Sequence, residues 1–548
     1  MASDKSESIS PGLPPQTGSS ETHFAAGAPP GPPGGGTYFS NMMLFWASFF
    51  TLIAAGMGFA IRGDIIGDWG RQFGFTQTEL GEITGQGLAG FGLTIILFSF
   101  FSDLLGYGKL MVIAFLLHAL SIVLTLAAPF AFQHYGKGAA FWCLNLGAWA
   151  FSLGNGTCEA VINPLTATLF PQNKTHWLNI LHAGWPGGLV LGALVNLGLN
   201  QLPSFGYESV GWQVRWGIVF APMLLYGVMM VGRPFPRSEA HVSGISVGAM
   251  VLTLFSPILL LLFLIHAMVG YVELGTDSWI QNITNTVLQN KTLALVAFIW
   301  TNVLMFTLRF FAGPIVHKIS PIGLLFGSAV LGAAGLILLG LPITDTAVLW
   351  LIAVTVYGIG KTFYWPTMLG VISERYPRGG ALALGISGGI GMISAGILGG
   401  PIIGYQQDYA ASTELKSESP QAYDRYKSEE PHAPLPFLPK IAGLDNAKVG
   451  VLMDNAEKLT ADLERDPEHK NLVTLNRWWR MQGQPNAEAD KDNISASQVE
   501  GGKQALLWTA LVPIAMAACY LLLVAIFAAT GGYKQIHIAE DEVGPTEY

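Results

Sequence analysis

Residues 41–60 read NMMLFWASFFTLIAAGMGFA, a run of 20 positions without a charge. As a helix, such a run spans a hydrocarbon layer of ~30 Å. The 40 residues before it, with PGLPPQTGSS and GAPPGPPGGG, have too little apolar surface to order themselves and predict a flexible tail. That tail contains no apolar signal-peptide core, so the run at 41–60 reads as a retained first helix.

Moving outward, eleven further apolar runs follow at 82–101, 109–131, 139–168, 177–199, 214–232, 248–272, 291–312, 321–341, 346–370, 380–404 and 504–529. The expected fold class is an all-α membrane protein of twelve transmembrane helices. Composition agrees: 51% of the chain is hydrophobic and 12% is charged, about half the ~25% charge of soluble domains. Cys143, Cys158 and Cys519 all lie within apolar runs and read as small hydrophobes, not as a disulfide framework or a metal site. The net charge of −8 comes with no basic stripe, which argues against nucleic acid. No nucleophile-and-base arrangement, metal spacing or phosphate loop is present, so neither an enzyme nor a cofactor is expected.

Short loops on one side carry Lys109, Lys174, Arg233, Arg237, Lys318, Arg375 and Arg378; those opposite carry Arg62, Arg71, Lys137, Arg215 and Lys291. This bias predicts a cytoplasmic N-terminus and, by parity, a cytoplasmic C-terminus in a plasma (inner) membrane. The domains expected are a tail at 1–40, a six-helix bundle at 41–232, a cytoplasmic linker at 233–247, helices 7 to 11 at 248–404, an insert at 405–503, helix 12 at 504–530 and a tail at 531–548.

The insert holds 17 acidic and 12 basic residues, nearly half of the chain's charge. By parity it lies outside the cytoplasm. Val449, Leu452, Met453, Leu459 and Leu463 fall near one helical face, predicting short amphipathic helices. A cap over the bundle is the plainer reading; a docking site for an envelope partner is the sharper one.

The two halves repeat. Helix 4 reads EAVINPLT and helix 10 KTFYWPTM, so Glu159 and Lys361 each precede a proline, Pro164 and Pro366, by five positions. Helix 1 ends RGDIIGDW and helix 7 ends YVELGTDSW, aligning Asp64 with Glu273 and Asp68 with Asp277. The loops SFFSDLLGYGK and GPIVHKISP occupy matching positions. The offsets lie between 202 (159 to 361) and 214 (103 to 317) residues. Repeated halves of this kind build a site at their interface.

With these motifs in view, the chain resembles the major facilitator superfamily, and within it the fucose/glucose/galactose permease branch. In SFFSDLLGYGK, Asp103, Gly106 and Lys109 match the superfamily's loop signature, with Ser99 in place of a glycine. RFFAGPIVHKISP, with Arg309 and Gly313, is similar to the permease version of the second loop, where His317 replaces a common acid. EAVINP resembles the branch's helix 4 motif through Glu159, Asn163 and Pro164. LNILHAGW resembles the start of its helix 5 through Asn179, with His182 and Trp185 where amides are frequent. YVELGTDSWI and FYWPTM resemble its helices 7 and 10. The resemblance covers the twelve helices and neither the tail nor the insert. It implies two pseudo-symmetric six-helix halves, and for Asp64 a role in proton or substrate handling.

A carboxylate within a span is costly unless paired, protonated or hydrated, which makes Glu159 a candidate for proton coupling, beside Asp64. Lys361 lies too deep for a loop base, and the repeat places it across the cavity from Glu159, as a gate pair, as a group that binds solute, or as a charge that only reaches water. Glu273 is read near the outer end of helix 7. His182 is either a titrating group or a core histidine. Tyr271, Trp185, Trp279, Tyr364 and Trp365 supply rings that stack on sugars, and Asn163 and Asn179 supply amides that bond hydroxyls, with helix packing as the alternative. Asp103, Gly106, Lys109, Arg309 and Lys318 are read as a cytoplasmic gate.

The expected function is proton-coupled transport of a sugar-like solute through the bilayer by rocking of two halves. A facilitator or exporter of another polar or anionic solute, and a non-transporting sensor, are the alternatives.

Overall fold

The computed structural model describes residues 38–538, apart from 74, 76–79, 81–82, 84–86, 343–345, 466 and 468–469, and gives only the backbone of 38, 71, 89, 103, 239 and 465. Both expected tails therefore fall mostly outside the described residues, as does the side chain of Asp103. Among the described residues, twelve helical columns are present: α1 Tyr38–Phe73, α2 Gly87–Leu105, α3 Tyr107–Tyr135, α4 Lys137–Leu169, α5 Lys174–Gln201, α6 Trp212–Met230, α7 Pro257–Gly275, α8 Lys291–Arg309, α9 Pro321–Gly340, α10 Ala347–Arg375, α11 Pro377–Glu418 and α12 Leu511–Ala529. Ten described helical segments are long and apolar enough to cross a membrane; α2 contributes the shorter apolar stretch Gly90–Ser102, and α4 is more polar but largely buried. No named strand occurs among the described residues, only isolated bridges at Lys427–Leu444 and His432–Ile441.

The columns are apolar on nearly every side, as a solvent of lipid requires. Leu93, Leu97, Val112, Leu116, Leu120 and Val123 point outward, while Phe45, Phe91, Trp216, Trp350 and Tyr357 fill the interior. Glycine lets α2, α3 and α4 follow one another with single-residue turns, since Gly106 and Gly136 hold φ of 80° and 81°.

Close approach replaces hydrophobic driving force between helices in lipid. Gly184, Gly188 and Gly192 bring α5 against α1, where a Cβ at Gly188 would meet the Ile53 carbonyl at 2.3 Å. Between the halves, α2 packs on α11 and α5 packs on α8 and α10.

The boundary expected at 405 falls inside a continuous helix. α11 runs on to Glu418 and pairs with Ala487–Thr509, the helix leading into α12. Above them, Pro420–Tyr426, Asn446–Met453, Glu457–Arg465 and Lys470–Trp478 enclose a core of their own containing Leu415, Tyr426, Val449, Leu452, Leu459, Trp479 and Ile494. Met453 and Leu463 pack against it. Arg425 grips Asp490 with two bonds, 2.8 and 2.5 Å, fastening this layer to the stem.

Candidate functional site

Local departures from the α-helix position the central polar groups. The end of α7 is a π turn, Tyr271–Gly275, lying against a second π turn, Ser394–Gly399, in α11. Such turns widen the helix and re-aim a side chain, and Glu273 sits within the first. α10 breaks between Lys361 and Tyr364, freeing the Thr362 carbonyl and the Trp365 N–H for partners outside the helix.

Arg309, the last residue of α8, uses the first of these. It donates from Nε to the Thr362 carbonyl at 2.8 Å, from Nη1 to the His182 carbonyl at 2.6 Å and from Nη2 to Glu273 Oε1 at 3.0 Å. Trp365 N donates to Glu273 Oε2 at 3.3 Å. Arg309 is 1% exposed and Glu273 3%. The placement of Arg309 in a loop gate is thus corrected: it belongs to the buried centre and ties α5 of the first half to α7, α8 and α10 of the second. Glu273 likewise lies inside, not at a solvated helix end.

Glu159, on α4, is the buried carboxylate of the first half. Its Oε2 accepts from Asn163 Nδ2 at 2.6 Å, one turn on along α4, and Asn163 Oδ1 meets His182 Nε2 at 2.8 Å. With the amide so oriented, that nitrogen carries the proton. A continuous path of hydrogen-bonded residues therefore runs from Glu159 through Asn163 and His182 to Arg309 and Glu273.

Lys361 is fully buried and pairs with Asp277. A gate pair of Glu159 with Lys361, one of the readings for Lys361, is not formed: Glu159 bonds Asn163 and Lys361 bonds Asp277, each within its own half. Asp64 and Asp68 both bind Arg215, the first at 2.7 Å. Arg215 is buried on α6, not in a loop.

Other expected site residues have packing partners. Tyr364 donates to the Ser328 carbonyl at 3.0 Å and Trp279 to the Gly400 carbonyl at 2.8 Å, both within the second half. Trp365 stands edge-on to His266, with centroids 4.6 Å apart, and Trp185 lies 5.1 Å from Phe59. Tyr271 is buried. Asn179 donates to Thr367 Oγ1 at 3.0 Å, across the halves. Lys109 and Lys318 are exposed, and Gly106 is the residue immediately before α3.

On the face where the described chain begins and ends, the near face, the halves are clasped by groups the sequence did not single out. Glu374, on α10, accepts from Thr175 N at 3.1 Å and Thr175 Oγ1 at 2.6 Å. Its other oxygen accepts from Tyr533 at 2.7 Å, and its carbonyl from Ile536 N at 2.8 Å. Burial, then the Glu374 charge, pushes the Tyr533 phenol well above its ordinary value, so it remains a donor. Gln535 bonds the Pro171 carbonyl. Between Lys174, Thr168 and Ser373 remains a void of about 20 Å³, room for a water and no solute.

The Major Facilitator Superfamily model matches residues 36–400, and the chain belongs to that family. Solved structures agree on the fold: the transporter FucP in an outward conformation has a TM-score of 0.54 at 16% identity, covering 68% of this chain and 93% of its own. The proton:xylose symporter XylE bound to 6-bromo-6-deoxy-D-glucose gives 0.53 at 15%, covering 65% and 87%. A bacterial homologue of the human lysosomal transporter Spinster, inward-facing, gives 0.53 at 15%, covering 90% and 97%. These scores favour no single branch. A search of curated protein sequences finds no match. The protein is a secondary transporter embedded in a membrane, and not an enzyme.

Proposed function

We propose that the protein carries a small polar, sugar-like solute across the membrane together with protons, as the permease-branch motifs imply. The observation that carries this reading is the hydrogen-bonded path from Glu159 to Glu273. It joins two buried carboxylates, one per half, and crosses between the halves at the bond from Arg309 to the His182 carbonyl, which must break when the halves rock. Protonation of a carboxylate frees its partner, so proton binding and rearrangement become linked. Glu159 is the preferred coupling group because its carboxylate is held by a neutral amide, whereas Glu273 is held by a guanidinium. Asp64, held by Arg215, serves the path toward the far face. The solute then lies among Asn163, His182, Trp185 and Trp365, with Glu273 and Lys361 setting the charge of the second half. Tyr364 and Trp279 shape its wall from behind.

The insert caps the far face, and the near face is cytoplasmic in a plasma (inner) membrane. A cysteine at Asp445 should then react with an impermeant maleimide on intact cells; labelling only after permeabilisation would reverse the orientation. For function, purified protein in proteoliposomes should accumulate at least one member of a panel of sugars and sugar derivatives when an inward proton gradient is imposed. Uptake that no gradient accelerates would favour a facilitator.

A further inference from the structure

One stretch of the insert is unlike the rest of it. Residues 431–441, PHAPLPFLPKI, contain Leu435, Phe437, Leu438 and Ile441, a proline at 431, 434, 436 and 439, and no acid, with Lys440 carrying the formal charge. They form a hairpin. Lys427 bridges to Leu444, His432 and Ile441 exchange two backbone bonds of 2.9 and 3.0 Å, and Leu438 N donates to the Leu435 carbonyl at 3.1 Å, closing the tip around Pro436 and Phe437. The prolines fix φ along both arms, so the tip is shaped before any partner meets it. Phe437 is 79% exposed, and Leu435, Leu438 and Ile441 are partly so. None of the four belongs to or borders the layer's own core, which leaves an apolar cluster that the layer does not use for folding.

The hairpin descends along α11 toward the bundle. A Cβ on Gly443 would stand 3.2 Å from Asp408 Cβ, and Tyr405 donates to the Pro439 carbonyl at 2.9 Å. From 443 to 439 the chain thus passes from residue 408 of α11 to residue 405, toward the apolar part of that helix, and the tip follows. Tyr405 comes directly after the apolar run that ends at 404. α12 marks the same level: it begins at Leu511, and just before it Thr509 Oγ1 donates to Gln406 Oε1 at 3.4 Å while the Trp508 ring lies 5.9 Å from Tyr409. Tyr405, 6.2 Å from Tyr409, completes an aromatic group of the kind that spanning helices place at the edge of the hydrocarbon layer. Further down α11 from Tyr405, Pro401 and Ile397 are exposed, the apolar surface that such a helix turns to lipid. The hairpin tip therefore stands where α11 enters the bilayer.

We propose that the tip Leu435–Leu438 is an interfacial anchor, which inserts Phe437 and the two leucines into the lipid leaflet at the far face. An aromatic ring flanked by leucines suits the boundary between headgroups and acyl chains. Lys440, exposed beside the tip, keeps its ammonium among the lipid phosphates while its stem lies against apolar surface. The layer then has two footings, the stem of α11 with Ala487–Thr509 and the bilayer itself. The inference concerns the layer alone and depends on neither the solute nor the coupling ion.

The test is electron paramagnetic resonance of the full-length protein in vesicles of phosphatidylethanolamine and phosphatidylglycerol, with a nitroxide attached to Phe437→Cys or to Lys458→Cys in a background lacking Cys143, Cys158 and Cys519. Molecular oxygen concentrates in hydrocarbon, and nickel(II) ethylenediaminediacetate stays in water. The label at 437 should be several-fold more accessible to oxygen than to nickel. The label at 458, whose side chain is 83% exposed on the layer, should show the reverse. A label on Leu438→Cys should gain nickel access several-fold when Phe437→Asp is added, a change at an exposed position that spares the fold. Where the cysteine-free background fails to fold, the same labels are read against the labelled parent, whose own cysteines supply the background. Nickel access at 437 equal to that at 458 would place the tip in water and overturn the proposal. A label at 437 shielded from both reagents would place protein on the tip, a second copy or a partner, and would overturn it too, as would nickel access at 438 that Phe437→Asp leaves unchanged.

Discussion

Arg309, almost fully buried, meets Glu273, the His182 carbonyl and the Thr362 carbonyl, three acceptors from three helices. A charge buried in this way is tolerated only while its partner remains, so Glu273→Gln should destabilise the folded protein by about 3–5 kcal/mol. Combining it with Arg309→Gln should recover part of that loss, since no unpaired charge is left. Thermal unfolding of the two variants in detergent gives the comparison, and equal loss in both would show that the pair is not coupled. At this scale the sequence was informative where a local motif carries the geometry. Glu159 and Asn163 are four positions apart on one helix, which alone brings their side chains together. It was silent where burial depends on the rotation of a helix against its neighbours. Arg62, Arg215 and Arg309 all lie near span ends, where a basic residue facing water and one turned inward look alike in sequence. Glu374 went unnoticed for the same reason, its partner Thr175 being 199 residues away.

Helices were legible as elements through hydropathy alone; their interruptions were not. The π turns and the break in α10 arise where packing against a neighbour outweighs regular hydrogen bonding, and no local residue pattern announces that. The polar continuation of α11 to Glu418 was read as the start of the insert, because the partner it packs on, Ala487–Thr509, is supplied from far along the chain. Close contacts of these elements have a direct test. A Cβ on Gly270 would approach the Gly391 carbonyl to 1.9 Å, so Gly270→Ala must separate α7 from α11, at a cost of about 1–3 kcal/mol in stability. Reduced thermal stability with an intact secondary structure is expected; a variant as stable as the parent would show the helices free to part. The clasp at the near face makes a second element-scale prediction. Truncation after Gly532 removes Tyr533, Gln535 and Ile536 from Glu374 and Pro171. In a background lacking Cys143, Cys158 and Cys519, a cysteine at Thr168 should then be alkylated several-fold faster, and an unchanged rate would mean that the tail does not help to hold this face closed.

The whole molecule consists of a bundle core, with its interhelical contacts among α1 to α12, and a separately cored layer mounted on the stem of α11 and Ala487–Thr509. Because the stem helices pair with each other, replacing residues 419–486 with a short glycine-serine linker should leave a monodisperse, folded transporter; loss of the bundle would show that the layer is structural. The bundle's task, in this account, is to link proton binding to rearrangement of two halves through Glu159. Asn163 and His182 extend that group's hydrogen bonding toward the second half, so a permanent neutral substitute at Glu159 should leave the rocking motion available and remove its dependence on protons. The direct measurement compares the parent with Glu159→Gln in proteoliposomes, using whichever solute the parent accumulates, by following gradient-driven uptake and counterflow exchange side by side. The account predicts that exchange persists in Glu159→Gln while accumulation under an inward proton gradient disappears. Undiminished proton-driven accumulation in that variant would contradict it.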